Sequence, residues 1–320
     1  MQLAAASQSH IGLAREINQD ALLMAAGAGV FVVADGMGGE KAGEEASAQV
    51  VATLQSMVVP FTTQAPQGPE ALHQVMNEAL LKANQDVVAI GRREPAKRGL
   101  GSTATLLVLY RGLALVGHVG DSRLYRVRGG SLQQLTRDHS VVWQLYERGV
   151  IGRADLETHP ERHLLTQCVG DPRSIQVEML QERVEAGDVF LLCSDGLTGY
   201  APETVIAQVM SDRDMTLEGK AARLIEVALQ GGGGDNVTVL LVRVERLEAS
   251  DDWQALPDYG RTLTPQDATG TGALAETRKL EDPRAAALRG MQAAQRRIMV
   301  AVVLLVLMCG LMGWLYWRMK

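Results

Sequence analysis

Apolar runs that stop on Asp-Gly recur along this chain. Val30 to Ala34 is apolar and rich in β-branched residues, ends at Asp35-Gly36, and reads as a buried strand. The spacing then predicts a helix over 42–59, where Ala46, Val50, Leu54, Met57 and Val58 share a face, with Pro60 as its stop. A second helix is expected over 69–90, because Leu72, Met76, Leu80, Ala83, Val87 and Ile90 recur at three- and four-residue steps before Gly91. Two apolar runs, 103–110 and 113–119, are joined by Arg111-Gly112, which reads as a hairpin turn. Alternation over 124–127, then Gly129-Gly130 and a short run over 132–135, makes a second hairpin. Antiparallel pairing follows, unlike the parallel sheet of a doubly wound fold. The stretch 141–170 is irregular. Val189 to Cys193 is another buried strand ending at Ser194-Asp195-Gly196, 217–229 reads as a helix broken by Gly231 to Gly234, and 237–244 is a last strand.

Beyond residue 245 the pattern fades. The 248–282 stretch has few large apolar residues and many Asp, Thr, Gly and Pro, so 248–297 reads as a flexible cytoplasmic linker. Ile298 to Trp317 then carries no charged side chain. As a helix it would be roughly 30 Å long, the thickness of a bilayer's hydrocarbon core. Trp314, Tyr316 and Trp317 sit at its far end, where interfacial aromatics belong. It is read as a single transmembrane helix with a short tail, 318–320. Arg278, Lys279, Arg284, Arg289, Arg296 and Arg297 precede it and only Arg318 and Lys320 follow. That asymmetry places everything before residue 298 in the cytoplasm, so the expected location is the cell membrane, single-pass.

Composition narrows the function. Hydrophobic residues make up 47% and charged residues 21%, enough apolar content for a buried core. A net charge of −6, with no Lys/Arg run interleaved with aromatics, argues against nucleic acid as a partner. Cys168, Cys193 and Cys309 form no CxxC pair and are odd in number, which suits a reducing compartment. Met1 to Asp20 shows no secretory signal.

The chemistry is expected where strands end. Asp35 and Asp195 close apolar strands and Asp235 opens one, so each is held on a rigid element. Carboxylate oxygens in such a set suit Mg²⁺ or Mn²⁺. A single Asp-Gly is ordinary turn chemistry, but other strings accompany these. They are Gly12-x-x-Arg15-x-x-Asn18-Gln19-Asp20, Val33-Ala34-Asp35-Gly36-Met37-Gly38-Gly39 with Gly43-Glu44 and Ala46-Ser47, Gly101-Ser102-Thr103-Ala104-Thr105, Gly120-Asp121-Ser122-Arg123-Leu124-Tyr125 with Leu135-Thr136-Arg137-Asp138-His139-Ser140, and Ser194-Asp195-Gly196-Leu197 with Gly234-Asp235-Asn236-Val237-Thr238.

Together and in this order, these strings make the chain resemble the bacterial metal-dependent protein phosphatases, the type-2C serine/threonine phosphatases. The resemblance implies an α+β fold over 1–247, a central sandwich of two antiparallel β-sheets flanked by α-helices, to which the transmembrane helix is appended. Residues 141–170 match the family's mobile flap. It implies that Asp35 bridges two Mn²⁺ or Mg²⁺ ions, that the Gly36 carbonyl ligates one, and that Asp195 and Asp235 complete the first ion's ligands. Asp20 would act through bound water, Asp121 with Asp195 would hold a weaker third ion, and Arg15 would grip the substrate phosphate. The implied reaction is hydrolysis of phosphoserine or phosphothreonine on proteins by direct attack of a metal-bridging hydroxide, opposing a bacterial serine/threonine kinase. Arg15 suits phosphate because its fork donates two parallel hydrogen bonds and stays charged.

One position departs from the pattern. Eukaryotic relatives carry a His, proposed as general acid, where this chain has Met37, and Met cannot donate a proton. A metal-bound water is the substitute considered. His139 is read as structural within the Asp138-His139-Ser140 turn, and His118, His159 and His163 as structural or flap residues. A cysteine-based phosphatase would need Arg six positions after its Cys; Arg173 is five after Cys168. A P-loop fails because Gly36 to Lys41 lacks the Gly-Lys-Ser/Thr ending. The rival of another class is a membrane-tethered phosphoprotein scaffold of the same fold with weak catalysis. Degenerate members lose an Asp of the set, and here Asp20, Asp35, Asp121, Asp195 and Asp235 are all present.

Overall fold

A computed structural model describes residues 1–39, 42–64, 68–156 and 158–248, and the backbone of 261–262. The expected membrane helix 298–317, its tail and most of the expected linker lie outside the described residues. Among the described residues, no helix is long and apolar enough to cross a membrane.

Two sheets stack between two layers of helix. The first sheet runs β1 (Gln2–His10), β11 (Val237–Arg246), β10 (Val189–Cys193), β7 (Arg123–Arg128), β8 (Ser131–Gln134). The second runs β12 (Arg261–Thr262), β9 (Glu178–Arg183), β6 (Leu113–Val119), β5 (Ala104–Tyr110), β3 (Val30–Met37), β2 (Asp20–Ala25), with the two-residue β4 (Gly101–Ser102) beside β3. Every neighbouring pair is antiparallel except β12, which runs parallel to β9. Arg261 and Thr262 fall inside the range read as linker, and they add a strand to the second sheet instead.

The continuous apolar runs have a simple cause: the central strands are buried on both faces. Val30, Val32 and Ala34 pack with α1 (Ala42–Thr63) and α2 (Pro69–Arg93) in one core layer. Phe31 and Val33 face the middle layer, where they meet Leu240, Val242 and Val244 of β11. Val237, Val239 and Leu241 face the third layer, under α5 (Glu203–Ser211) and α6 (Leu217–Gln230). Period-two alternation therefore sorts each run into two cores rather than into core and solvent.

Both expected hairpins form. Arg111 and Gly112 have φ of +46° and +80°, and Gly129 and Gly130 have +58° and +85°. Positive φ at both central residues matches the turn whose twist fits antiparallel strands. Pro60 does not stop α1. The helix continues to Thr63, where the Thr63 hydroxyl donates to the Val59 and Pro60 carbonyls. A proline deletes one helix hydrogen bond, and so near the end there is little left to break.

Candidate active site

The candidate carboxylates come from five separate segments that end at one edge of the sandwich. Asp20 opens β2 and pairs across the ladder with Asp35 of β3. By alternation both point to the middle layer, as Phe31 and Val33 do. Asp121 lies in the crossing from β6 to β7. Asp195 opens α4 (Asp195–Thr198), the helix that follows α3 (Val141–Glu147) in the chain and comes directly after β10, and Asp235 directly precedes β11.

Their proximity shows in their electrostatics. Asp35, Asp121 and Asp195 are all held above the ordinary carboxylate range, in each case first by burial. Neighbouring charge is the next cause: Asp195 on Asp35, Asp195 on Asp121, Asp235 on Asp195. Asp20 is pushed up to about 7 by burial, against the favourable influence of the Thr238 and Ser194 hydroxyls. Its Oδ2 accepts from the Ser194 hydroxyl at 2.8 Å, whereas its Oδ1 is buried without a hydrogen-bond partner among the described residues. Buried carboxylates that repel one another, with an orphaned oxygen among them, are the surroundings a divalent cation satisfies. The donor set is all oxygen and fits a hard ion such as Mn²⁺ or Mg²⁺.

Hydroxyl and amide side chains underpin the set. The Asp35 amide donates to Thr103 Oγ1 at 2.9 Å, and Thr103 Oγ1 lies 2.7 Å from Ser122 Oγ, so the Asp35 and Asp121 turns share one clasp. Ser194 Oγ accepts from the Thr238 amide. Asn236 accepts from the Gln19 amide and donates to the Ile11 and Ile17 carbonyls, which folds the Arg15 loop against β11. These residues lay inside the quoted strings, but their spacing held no sign of this scaffolding role. Gly36 is obligatory here: a Cβ would sit 2.0 Å from the Gly43 carbonyl oxygen and 2.6 Å from that of Gln19. Gly43 in turn clears the Gly36 carbonyl oxygen, which a Cβ would approach to 2.7 Å.

Arg15 reaches the cluster. Its Nη2 donates to Asp235 Oδ2 at 2.8 Å, its side chain is 49% exposed, and Asp235 holds its pKa up. A small cleft of about 70 Å³ opens over Asp121, Asp195 and Asp235 and is also lined by Arg162, His163 and Tyr200. His163, expected to be structural or part of the flap, lies within 141–170 and lines this cleft beside the carboxylates. Nothing in its spacing could have shown this. Beside the cleft Arg123 holds Asp138 in a two-pronged ion pair at 2.7–3.0 Å. Among the described residues, the two cysteines, Cys168 and Cys193, offer no rival chemistry. Burial pushes the Cys193 thiol up to about 12 and raises Cys168 as well, so neither is a thiolate at neutral pH.

A second group, His118, His139 and Glu178, brings potential ligand atoms within 4.8 Å of one another. It is a hydrogen-bonded brace. His118 Nε2 faces the Gly120 and Arg137 carbonyls at 3.0 and 3.1 Å and must donate to them, leaving no lone pair there for a metal. Burial holds His118 well below its usual value and brings His139 down to about 4, so both rings are neutral.

A four-layer α-β-β-α sandwich with buried carboxylates at one sheet end defines a metal-dependent hydrolase. Known proteins make that class specific. Residues 8–227 match the family described as protein phosphatase 2C. The chain is 33% identical over 223 residues to the serine/threonine phosphatase stp of Listeria monocytogenes, covering 70% of this chain and 87% of that one. It superposes with a TM-score of 0.70 on the serine/threonine phosphatase PstP/Ppp of Mycobacterium tuberculosis, at 34% identity over 76% of this chain and 99% of that one. The catalytic domain of PstP in complex with two manganese ions is matched with a TM-score of 0.67 at 32% identity, over 75% of this chain and 97% of that one. The chain belongs to the protein phosphatase 2C family, and it is a protein serine/threonine phosphatase.

Proposed function

We propose that this phosphatase works through two Mn²⁺ or Mg²⁺ ions held by Asp35, the Gly36 carbonyl, Asp195 and Asp235, with Asp20 acting through water and Asp121 with Asp195 holding a weaker third ion. The observation that carries this is the buried set of mutually repelling carboxylates, with Asp20 Oδ1 left without a partner among the described residues. Bound ions would supply an acidified water and neutralise charge developing on the phosphoryl oxygens. The chain's own residues do the positioning. Arg15, half exposed at the cleft rim, exchanges its Asp235 contact for the substrate phosphate and stays charged throughout. Ser194 keeps Asp20 oriented, and Thr103 fixes the Asp35 backbone so that neither carboxylate must reorganise. Met37 supplies no proton, so the leaving alkoxide takes one from solvent or an activated water. The substrates are phosphoserine or phosphothreonine proteins, and the partner is a serine/threonine kinase whose work this enzyme reverses.

The uncharged stretch 298–317 and the basic residues before it support a single-pass anchor with the catalytic domain on the cytoplasmic face. The decisive assay is phosphate release from a phosphothreonine peptide with and without Mn²⁺. Activity should vanish in EDTA, return with Mn²⁺, and fall by more than about a hundredfold in Asp35→Asn, the scale of losing a preorganised electrostatic group. Hydrolysis that persists in EDTA would remove the metal mechanism. A folded chain that binds phosphopeptide without turnover would make it the scaffold instead.

A further inference from the structure

Four consecutive glycines, Gly231 to Gly234, lead into Asp235. Two larger side chains stand against this turn. Tyr200, which also lines the cleft, touches its two ends. A Cβ at Gly231 would collide with the Tyr200 carbonyl oxygen, and one at Gly234 with the Tyr200 hydroxyl. Leu13 meets the third glycine. Its amide donates to the Gly233 carbonyl at 2.7 Å, and a Cβ at Gly233 would come 3.0 Å from Leu13 Cγ. A turn without side chains thus carries a tyrosine ring and a leucine beside a candidate metal ligand.

Leu13 is firmly placed yet covers little. Gly12 before it has φ of +85°, and a Cβ there would collide with the Asp235 carbonyl oxygen, so the backbone at 12–13 lies directly on that at 233–235. The Leu13 side chain itself is 66% exposed. Single exposed apolar side chains are ordinary on protein surfaces and add little to folding. This one differs in its position. Arg15 follows two residues later, a span of at most about 7 Å of chain, and its guanidinium meets Asp235 at the cleft. A phosphate held by Arg15 brings the neighbouring residues of a peptide within reach of Leu13.

We propose that Leu13 is a specificity-determining residue: with Tyr200 along the same glycine turn it forms an apolar lip, which selects substrates carrying an apolar side chain within two residues of the phosphorylated one. The inference deepens the reading of Arg15 as the phosphate-binding group and rests on it. An apolar substrate side chain takes the exposed face of Leu13 out of water, and that favours binding in proportion to the area covered. A charged side chain is desolvated there without a partner. The contact is remote from the reacting atoms and is the same before and during the reaction, so it acts on KM rather than on kcat.

Steady-state kinetics of the full-length chain with Mn²⁺ on synthetic phosphothreonine peptides tests this. In a glycine background, each of the two positions on either side of phosphothreonine is replaced in turn by leucine or by lysine. At one of these positions leucine should lower KM about three- to tenfold relative to glycine, the scale of partly burying a leucine, with kcat unchanged. Leu13→Ala should remove most of that preference while kcat/KM on the all-glycine peptide stays within about twofold. Leu13→Asp should turn the preference at the same position from leucine to lysine. Arg15→Ala should slow every peptide alike and leave the leucine preference in place. If Arg15→Ala leaves the all-glycine peptide unaffected, the phosphate assignment fails and the inference with it. If Arg15→Ala slows all peptides but the parent shows no leucine preference, or Leu13→Ala and Leu13→Asp keep it, the phosphate assignment stands and the lip is overturned.

Discussion

At the scale of single residues, exposure separates function from stability. Arg15 is half exposed and pairs with Asp235, and an ion pair in that setting contributes about 0–1 kcal/mol to folding. Arg15→Ala should therefore leave the melting temperature nearly unchanged. It should lower kcat/KM on a phosphothreonine peptide roughly 10- to 100-fold, the loss of a charged hydrogen bond to phosphate. Steady-state kinetics and calorimetry on the same preparation check both halves. His139 is the opposite case. Its folded value, about 4, lies below the ordinary 6.5 because burial disfavours the cation, with the nearby Asp138 charge opposing. A depressed histidine contributes stability that is present above the unfolded value and lost as pH falls toward the folded one. Between pH 6.5 and 4 that loss is on the order of 3 kcal/mol. The difference in denaturant stability between the parent and His139→Asn should shrink by this order over that window. A difference independent of pH would mean that the ring is not buried neutral.

At the scale of elements, much of the architecture was legible and some was not. The runs at 30–34, 103–110, 113–119, 189–193 and 237–244 announced themselves because both faces of those strands are buried, and the helices at 42 and 69 through three- and four-residue steps. Gln2–His10 did not, since Leu3-Ala4-Ala5-Ala6 and flanking polar residues have little strand propensity. Pairing with β11 along its whole length makes it a strand. Glu178–Arg183 is similar: only Met179 and Leu180 are apolar, and the ladder to β6 decides. Pro60 misled because its effect depends on how much helix remains beyond it. The layered core makes a sharp prediction. Leu106 in β5 is fully buried against α1 and α2, and Leu106→Ala should cost about 2–5 kcal/mol in chemical denaturation. Leu13→Ala, at a residue 66% exposed, should stay within about 0.5 kcal/mol. Equal costs would contradict the burial pattern.

At the scale of the whole molecule, the residues proposed for catalysis and the stretch proposed as an anchor are different parts of the chain. The carboxylates, their hydroxyl clasps and Arg15 all lie between residues 9 and 238. β12 adds one strand after that, parallel to β9. If the proposed anchor holds, deleting 298–317 should move the protein from the membrane fraction to the soluble one while peptide hydrolysis with Mn²⁺ stays within about twofold, since none of the residues proposed for the reaction lies in that stretch. Fractionation and the phosphate-release assay read the two separately. A full-length chain that stays soluble without detergent removes the anchor.

The sequence by itself determined which residue types could do the chemistry. Asp at strand ends, Gly beside them and Arg15 in its string carry their meaning in local order, because a strand fixes the direction of its last side chain. It also determined both hairpins, since paired positive φ values are a local demand. Only the tertiary structure decided which polar neighbours serve those carboxylates. Thr103 joins Ser122, Ser194 holds Asp20, Asn236 pins the Arg15 loop, and His139 braces Gly120. Each contact spans strands distant in sequence, and a hydroxyl or an imidazole has no periodicity that marks its partner. His163 came to the cleft for the same reason: its place is set by how an irregular segment returns to the sheets, which no local pattern encodes.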